Sequence, residues 1–309
     1  MYKNPKIVVL GSINMDLVGT TNKLPSPGET ITGESFMMNP GGKGANQAVA
    51  LARLGAEVQL VGKIGNDIFG KELKLNLECN AVNIDNVATS NEIQSGIALI
   101  LLNADKENHI VVIPGSNATC NSQQVQATLN LMSNSKCLLI QFEIPIDISI
   151  KAAQFAQETG VTTILDPSPC INLDKSVLGP IDIITPNQYE AEYYTGIKVI
   201  DEKSAKHAAN ILKSQGASTV IITLGAQGAY YSSTDESGLV NARKVNAVDT
   251  VGAGDAFNAG LAVAISKGSD LQEAIQFGVA CGNLAVTKLG AQNAMPYSNE
   301  VSNFINKKL

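Results

Sequence analysis

The chain has 309 residues, 44% of them hydrophobic, and a formal net charge of −6 at pH 7. That length can bury a large core and accommodate one large domain together with a smaller one. The negative charge argues against a general binder of nucleic acid or of an anionic membrane, although it does not exclude a local pocket for phosphate.

Cysteine usage and the N-terminus bear on the compartment. The cysteines are scattered, odd in number and without a CxxC pair, which favours free thiols over a disulfide framework or a zinc site. The first apolar run, Ile7–Leu10, is too short for a signal peptide, and no stretch approaches the length of a membrane span. We therefore expect a cytoplasmic protein with neither nucleic acid nor membrane as a partner.

Short β-branched runs alternate with longer amphipathic segments along most of the chain. The predicted strands are Lys6–Leu10, Val58–Val61, Cys137–Gln141, Thr162–Leu165, Ile181–Thr185 and Thr219–Thr223. The predicted helices are Gly44–Leu54, Gly70–Cys79, Ser122–Met132, Asp147–Thr159, Asp201–Gln215, Asp255–Ser266 and Asp270–Lys288. Strand runs such as Val220–Ile222 lack polar alternation, which indicates a mostly parallel sheet covered by helices on both faces.

Two stretches interrupt this alternation. Asn14–Pro40 has no helical period and is rich in Gly, Pro and Thr, whereas Gly96–Leu102 and Asn108–Ile113 flank the polar turn Asn103–Glu107 and predict a hairpin. Together they could form a small sheet that serves as a lid or an oligomer contact, with Gly41-Gly42 as a hinge; two unrelated surface excursions are the alternative. The predicted division is a main domain of residues 1–13, 43–94 and 115–309, and a lid of residues 14–42 and 95–114.

Asn14 and Asp16 follow the first strand. They lie two residues apart, so in an extended segment their side chains point to the same side. This arrangement suits the hydroxyl groups of a sugar. The same residue types also simply form turns.

The next candidate segment is Gly41-Gly42-Lys43-Gly44-Ala45-Asn46-Gln47-Ala48. Its paired glycines let the backbone approach a ligand, and Lys43 and Asn46 add donors at the start of a helix. The spacing does not fit a Walker loop, because Gly44 follows the lysine. No GxGxxG pattern follows the first strand, which argues against a dinucleotide-dependent oxidoreductase.

Two further segments follow predicted strands in the second half of the chain. Asn187 and Glu190 are neighbours on a helical turn and could hold water around Mg²⁺, or form a variant of the capping box; the two interpretations are compatible. Gly225 and Gly228, after Thr223, permit a turn that lines a nucleotide pocket, although a plain turn between strands would look the same.

The segment Asp249-Thr250-Val251-Gly252-Ala253-Gly254-Asp255 is the most informative of all. Small residues let backbone N–H groups crowd together at a helix N-terminus, which makes an anion site. A carboxylate beside a bound phosphate can take a proton from an attacking hydroxyl, so Asp255 predicts phosphoryl transfer to an alcohol. The alternative is an N-capped helix after a glycine turn.

These segments, in this order, resemble the ribokinase branch of the PfkB sugar-kinase family. The family motifs are Gly41–Ala48 and Asp249–Ala262, and the likeness covers essentially the whole chain. It implies a ribokinase-like three-layer α/β/α sandwich with a mostly parallel central sheet and a small β lid that commonly makes the dimer contact. It also implies transfer of the γ-phosphoryl of ATP to the 5-hydroxyl of ribose, with 2-deoxyribose or another sugar or nucleoside as the alternative substrate.

The resemblance also assigns roles to residues. Asp255 would be the catalytic base, and the backbone of Gly252, Ala253 and Gly254 would form the anion hole. The sugar would be bound by Asn14, Asp16, Gly42, Lys43, Asn46, Glu143 and Asp255. ATP would be bound by Asn187, Thr223, Gly225, Gly228 and Gly254, and Mg²⁺ would be organised through water by Glu190. A monovalent cation, usually K⁺, would bind Asp249 and the backbone carbonyls of Val251, Ala285, Lys288 and Gly290.

Two positions depart from the family pattern. Ala294 lacks the hydroxyl that relatives often place there, which leaves the cation requirement open. Val279 stands where relatives often have a polar residue against adenine, which leaves nucleotide selectivity open. A non-catalytic sugar sensor or nucleotide-binding regulator is the alternative from another class, but a sensor has no need for the base at Asp255.

Overall fold

The computed structural model of the chain describes residues 4–103, 108–174 and 177–307. Its strands are β1 (Lys6–Leu10), β2 (Asn14–Thr20), β3 (Ser35–Gly41), β4 (Glu57–Gly65), β5 (Asn83–Ser90), β6 (Gly96–Leu102), β7 (Asn108–Ile113), β8 (Cys137–Ile140), β9 (Thr162–Leu165), β10 (Ile183–Ile184), β11 (Thr219–Thr223), β12 (Ala229–Ser232) and β13 (Ser237–Val240). Its helices are α1 (Lys43–Arg53), α2 (Ile68–Cys79), α3 (Ser122–Met132), α4 (Ile146–Thr159), α5 (Gln188–Thr195), α6 (Glu202–Ser214), α7 (Ala253–Ser266), α8 (Leu271–Ala285) and α9 (Ser298–Asn306).

The larger sheet has the strand order β13-β12-β11-β10-β9-β8-β1-β4-β5. Neighbouring strands from β11 to β5 are parallel, and only β12 and β13 join the edge as antiparallel strands. This confirms the predicted, mostly parallel sheet. The carboxyl ends of β1, β8, β9, β10 and β11 therefore lie along one edge.

Side-chain alternation along β1 explains why the sheet is covered on both faces. Ile7 and Val9 pack with residues of α1, α7 and α8, whereas Val8 and Leu10 pack with residues of α3, α4 and α6 on the other face. All four are fully buried. The result is the expected three-layer α/β/α arrangement, because each face of a parallel sheet must be shielded from water.

A second sheet has the order β3-β2-β6-β7. β2 pairs antiparallel with β3 and parallel with β6, and β6 and β7 form the predicted hairpin. Residues 104–107 of the turn lie outside the described residues. The two interrupting stretches thus contribute to one small sheet, while the exact division into main domain and lid stays a prediction.

Several elements differ from the sequence prediction. The strand predicted over Ile181–Thr185 is only two residues long, and the helix predicted to reach Lys288 ends at Ala285. The sequence analysis missed β2, β3, β5, β12, β13, α5 and α9. β5 carries mostly polar residues because it is an edge strand with one buried side chain, Val87, so its apolar pattern is weak.

The cysteines are free thiols, as expected. Burial raises the pKa of Cys137 to about 11, so this thiol stays protonated near neutral pH. Within the described part of the chain, every helix is too short or too polar to cross a membrane.

Candidate active site

The residues predicted to bind a sugar meet at the carboxyl edge of the larger sheet. Glu143 follows β8, Lys43 begins α1, and Asn14 begins β2 just beyond β1. Ligands of open parallel sheets bind at this edge, outside the carboxyl ends of the strands. The strand order therefore brings together segments that are about a hundred residues apart in sequence, as the contact of Lys43 with Glu143 shows.

Glycine lets α1 start directly against the end of β1. A Cβ on Gly44 would lie 2.7 Å from the carbonyl carbon of Gly11, and a Cβ on Gly42 would lie 2.7 Å from the backbone nitrogen of Asn14. Gly42 also has φ +87°, which favours glycine. The Ala45 N–H donates to the Ser12 carbonyl at 2.9 Å, so the first turn of α1 is fixed beside the site.

Asp255 lies in the first turn of α7 and is buried. The helix begins at Ala253 with Gly252 as its N-cap, and no side chain caps it, so the alternative of Asp255 as a capping residue is wrong. Its carboxylate instead accepts hydrogen bonds from Asn46 Nδ2 at 2.9 Å and Gln47 Nε2 at 3.1 Å. The two family motifs therefore meet at this carboxylate.

Backbone N–H groups beside Asp255 are available for an anion. Gly252 adopts φ +77°, which turns the chain into the helix. The Ala253 N–H donates to the Thr250 carbonyl at 3.3 Å, whereas those of Gly252, Gly254 and Asp255 donate none of the hydrogen bonds that the structure describes. The free donors, together with the helix dipole, make an anion site of which Ala253 is the weakest member.

Lys43 connects the carboxylates of the site. Its backbone N–H donates to Glu143 Oε2 at 3.0 Å, and its Nζ donates to Asp166 Oδ2 at 3.1 Å. Glu143 also accepts a short hydrogen bond from the Ser12 hydroxyl. Asp166, which directly follows β9, is almost completely buried.

Burial and mutual repulsion shift the pKa values of these carboxyl groups. Burial, and then the charges of Glu143 and Asp255, raise the pKa of Asp16 to about 7. Burial is also the largest cause that raises the pKa of Asp255; Lys43 opposes it and Asp166 adds to it. Burial alone would lower the pKa of Lys43, but the charges of Asp166, Asp255 and Glu143 outweigh it and raise that pKa. The lysine therefore stays charged.

A neighbouring amide fixes the orientation of Asn14. Asn117 Nδ2 donates to Asn14 Oδ1 at 2.7 Å and to the Ile13 carbonyl at 3.1 Å, while Asn117 Oδ1 accepts from the Ile13 N–H at 3.0 Å. With its oxygen occupied, Asn14 presents Nδ2 as a donor, which suits a hydroxyl oxygen.

The predicted ATP-binding residues lie further along the same edge. Asn187 and Glu190 form a capping box at the start of α5, with bonds of 2.9 Å and 2.8 Å, which confirms the capping interpretation. A parallel β-bridge places Asn187 beside Thr223 at the end of β11. Gly225, with φ +54°, and Gly228, with φ +104°, shape the turn from β11 into β12.

A cavity of about 660 Å³ lies beside this turn, between β13, α7, α8 and α9. Val279 and Asn283 line it, as do Val240 and Asn241. A Cβ on Gly228 would lie 1.9 Å from the Val240 carbonyl oxygen, so this glycine permits the turn to pack against the cavity wall. Val279, the residue predicted to face adenine, is thus placed on a cavity next to the glycine turn.

The residues predicted to bind a monovalent cation come together from two segments. Asp249 Oδ1 accepts from the Val251 N–H at 3.0 Å, and Asp249 Oδ2 accepts from the Gly290 N–H at 2.9 Å. The Ala285 carbonyl accepts from the Lys288 N–H, but the carbonyls of Val251, Lys288 and Gly290 accept none of the hydrogen bonds that the structure describes. Free carbonyl oxygens beside a carboxylate fit a hard cation. Ala294 follows Gly290 closely in sequence and is buried, and its methyl side chain provides no oxygen ligand.

Sequence reasoning missed four side chains of the site: Gln47, Asn117, Gln141 and Asp166. Gln47 belongs to the first family motif, but the sequence analysis assigned sugar binding to Lys43 and Asn46 and gave Gln47 no role. Asp166 and Gln141 each follow a buried strand directly, and this position at the carboxyl edge is the signal that would have identified them.

The likeness of the chain to known proteins extends over nearly its whole length. Residues 4–297 match the pfkB family of carbohydrate kinases. The chain belongs to this family. A ribokinase of Haemophilus influenzae is 40% identical over 97% of this chain and 98% of its own length.

Two further relatives bear on the substrate. A deoxyribokinase of Salmonella typhi is 33% identical over 97% of this chain and 98% of its own length. The structure of Arabidopsis thaliana ribokinase complexed with ribose and ATP superposes with a TM-score of 0.94 at 30% identity, and covers 99% of this chain and 100% of that one. This family member therefore shares its whole architecture with a sugar kinase, which excludes the oxidoreductase alternative.

Proposed function

We propose that the protein is a ribokinase, which transfers the γ-phosphoryl group of ATP to the 5-hydroxyl of D-ribose and yields ribose 5-phosphate and ADP. The observation that carries the proposal is the buried carboxylate of Asp255, held by Asn46 and Gln47 beside free N–H groups at the start of α7. The ribokinases among its relatives support ribose as the sugar.

The geometry suggests how the chain's own residues act. The oxygen of the 5-hydroxyl attacks the γ-phosphorus in line, and Asp255 accepts the proton of that hydroxyl. The N–H groups of Gly252 and Gly254 stabilise the negative charge on the transferring phosphoryl group. Asn14, Asp16, Gly42, Lys43, Asn46 and Glu143 bind and orient the sugar. Asn187, Thr223, Gly225, Gly228 and Gly254 bind ATP.

We propose that Glu190 organises Mg²⁺ through water. Burial and the charge of Asp166 raise the pKa of Glu190, so a divalent cation nearby would relieve an unfavourable pair of carboxylates. The capping bond to the Asn187 N–H occupies Oε2 of Glu190, and its second oxygen can bind a water ligand. Bound Mg²⁺ would supply charge neutralisation on the phosphates.

Asn14 gives a test of ribose against 2-deoxyribose. We expect ADP release to be faster with ribose than with 2-deoxyribose, because the amide of Asn14 has no hydroxyl partner on the deoxy sugar. Asn14→Ala should lower kcat/KM for ribose by roughly 10- to 100-fold, because the 2-hydroxyl then loses the positioned amide. For 2-deoxyribose, which lacks the 2-hydroxyl, the loss should be small. The measurement is coupled ADP release with each sugar and without sugar.

Three outcomes of that assay would contradict the proposal. Equal or faster turnover of 2-deoxyribose by the wild type would make the protein a deoxyribokinase. An equal loss for both sugars in Asn14→Ala would remove Asn14 from 2-hydroxyl recognition. ADP release that does not depend on any sugar would exclude the kinase assignment.

We propose a monovalent cation, K⁺ rather than Na⁺, at Asp249 and the carbonyls of Val251, Ala285, Lys288 and Gly290. Free carbonyls and a carboxylate support the site, and a fixed cation there would order the loop that leads to α7. Turnover should therefore be faster in K⁺ than in Na⁺, and Asp249→Ala should remove the difference.

Ala294 offers a matched variant for the cation. Ala294→Ser restores a hydroxyl, so the K⁺ concentration that gives half-maximal activation should fall. The measurement is the initial rate as a function of K⁺ in a choline buffer. Equal rates in K⁺, Na⁺ and choline would exclude a cation site with a functional role.

We also propose that the small sheet makes a homodimer with a second copy of the chain. Its exposed apolar side chains include Phe36, Met37, Met38, Leu99, Leu101, Ile110, Val111, Val112 and Ile113. Leu99 and Val111 lie opposite each other on β6 and β7, with exposed fractions of 41% and 59%. The strand register places six of these apolar side chains on one face of the sheet: Phe36, Met38, Leu99, Leu101, Val111 and Ile113. An exposed apolar face of this kind is rare on a monomer surface.

Substitution in this patch tests the dimer. Val111→Asp should convert a dimer to a monomer, or raise the dissociation constant by about tenfold or more, because it buries a charge in an apolar contact. The measurement is light scattering coupled to gel filtration. Ile68→Asp is the control, since Ile68 is 76% exposed at the start of α2, away from the small sheet. A wild-type monomer, or equal behaviour of both variants, would contradict the proposal.

We propose the cytoplasm as the compartment, since ATP is present there and thiols are kept reduced. The free cysteines support this assignment. Fractionation of cells that express the protein with its native N-terminus is the measurement, and recovery from a secreted or membrane fraction would contradict it.

A further inference from the structure

Three buried amides lie behind the carboxylate of Asp255. Asn46 Nδ2 donates to one oxygen, Oδ2, and Gln47 Nε2 donates to the other, Oδ1. Gln47 Oε1 in turn accepts from Gln141 Nε2 at 2.7 Å. Asn46, Gln47 and Gln141 are all buried, and Gln47 and Gln141 are almost completely excluded from solvent. The Nε2 and Oε1 atoms of Gln47 are both engaged within the protein, so this side chain has no free donor or acceptor for a sugar and needs another explanation.

Gln47 bridges the two carboxylates that flank it. Its Nε2 carries two hydrogens, one for Asp255 Oδ1 at 3.1 Å and one for Asp166 Oδ2 at 3.2 Å. Asp166 Oδ2 also accepts from Lys43 Nζ. The amide of Gln47 therefore ties the position of Asp255 to the Asp166–Lys43 pair at the other side of the site.

Gln141 fixes which end of the Gln47 amide faces the carboxylates. If Gln47 turned its amide over, its oxygen would face two carboxylates, and its nitrogen would face the Gln141 donor. The Gln141 amide has no other side-chain partner in the described part of the chain, where its Oε1 is buried without a hydrogen bond. It packs against Gly11, where a Cβ would lie 2.0 Å from Oε1. The described contacts of this side chain thus serve to orient Gln47.

We propose that Gln47, oriented by Gln141, is a positioning residue that holds the carboxylate of Asp255 for proton transfer. The inference rests on the proposed function, because it assigns the role through Asp255 as the base. Donation to the ionised carboxylate also favours its charged form, so Gln47 widens the pH range in which Asp255 can accept a proton.

The variant Gln47→Met tests the proposal, because methionine has a similar length and no donor. Loss of a hydrogen bond to a charged group should lower kcat with ribose by roughly 10- to 100-fold at neutral pH. KM for ribose should stay within about threefold of the wild-type value, since Gln47 does not contact the bound sugar in the ground state. The acid limb of the kcat profile should move to higher pH by about half a unit or more, because a donor to the charged form is lost.

Two further variants make the result independent of folding. Gln47→Glu keeps the size and adds a carboxyl group, so its acid limb should lie at higher pH than that of Gln47→Met. Gln141→Met keeps the Gln47–Asp255 contact and removes only its orientation, so its loss should be smaller and in the same direction. Gln124→Met is the control, since Gln124 is an equally buried amide that serves the capping box of α3. It should lower the melting temperature and leave the acid limb unchanged.

The outcomes separate this inference from the proposed function. A wild type that releases no ADP with ribose refutes the function. If the wild type is active, an acid limb that does not move in Gln47→Met and Gln47→Glu overturns the positioning role, as does an effect confined to KM. A shift of the limb in Gln124→Met as well would make the effect one of general stability and would also overturn it.

Discussion

Replacement of Asp255 by Asn is expected to reduce turnover with ribose by roughly 10²- to 10⁴-fold, the range for removal of a general base. The carboxylate of Asp255 lies beside the free N–H groups at the start of α7, where it can take a proton from the 5-hydroxyl. Ribose binding should be largely retained, because the substitution changes a single atom and keeps the backbone of α7. The measurements are single-turnover ADP formation and calorimetric binding of ribose.

The fold can accommodate the asparagine of Asp255→Asn without loss of stability. Asn46 and Gln47 donate to Asp255 in the native protein, so an amide nitrogen at this position would face a donor. Asn46 Oδ1 is buried without a hydrogen bond, and rotation of the Asn46 amide would let it accept from the new nitrogen. We therefore expect an unfolding free energy equal to or above that of the wild type, because a buried charge is removed. Turnover within tenfold of the wild type would exclude Asp255 as the base.

The pH dependence follows from the pKa of Asp255. Burial raises this pKa above the ordinary range for aspartate, and a base must be deprotonated to act. Activity of the wild type should therefore decline as the pH falls through a value above about 4, the ordinary aspartate pKa. The residual activity of Asp255→Asn should lack this limb. An unchanged limb in the variant would assign it to another group, such as Asp16.

The sequence was sufficient for the parts of the site that lie next to glycines. Gly252 and Gly254 indicated a helix that starts beside an anion site, and Gly41-Gly42 indicated the start of α1. The sequence could therefore predict a role for Asp255 as a base and for Lys43 as a donor to a ligand. The alternation of buried runs likewise predicted the parallel sheet, because a strand covered on both faces must be apolar throughout.

The rest of the site depends on long-range packing. Asp166 is one of 28 acidic residues, and no local pattern marks it as the partner of Lys43, which is 123 positions away. The targets of Gln47 are set by the rotation of α1 against α7, which a sequence motif does not encode. β2 and β3 escaped prediction as strands because their pairing in the small sheet, rather than their Gly- and Pro-containing sequences, stabilises them.

Replacement of Lys43 by Met is expected to have the largest effect on stability. Lys43 Nζ binds Asp166 Oδ2, and its charge faces Asp255 and Glu143 as well. Its removal leaves these carboxylates without their cation, so the unfolding free energy should fall. Loss of one partner of a fully buried pair costs about 3–5 kcal/mol. Because the Lys43 side chain is 25% exposed, we expect on the order of 2–3 kcal/mol at pH 8, measured by urea denaturation.

The loss should shrink as the pH falls. Without Lys43, the pKa values of Asp166 and Asp255 in the folded state rise further above those in the unfolded chain. The folded state then binds more protons, so stability is highest below the unfolded pKa and is lost as the pH rises through the folded pKa. Lys43→Met should thus approach the wild type in stability near pH 5 and differ most near pH 8.

Asp166→Asn separates the effect of the lost charge from that of the lost packing in Lys43→Met. In the double variant Lys43→Met/Asp166→Asn, the unpaired buried carboxylate is gone, and most of the lost stability at pH 8 should return. Asp166→Asn alone should be mild, because Lys43 still faces Asp255 and Glu143. A loss in Lys43→Met that is independent of pH, or that the second substitution does not relieve, would show that the aliphatic stem of Lys43 stabilises the site rather than its charge. Charge compensation would then not be the reason why the fold tolerates so many carboxylates at one edge of the sheet.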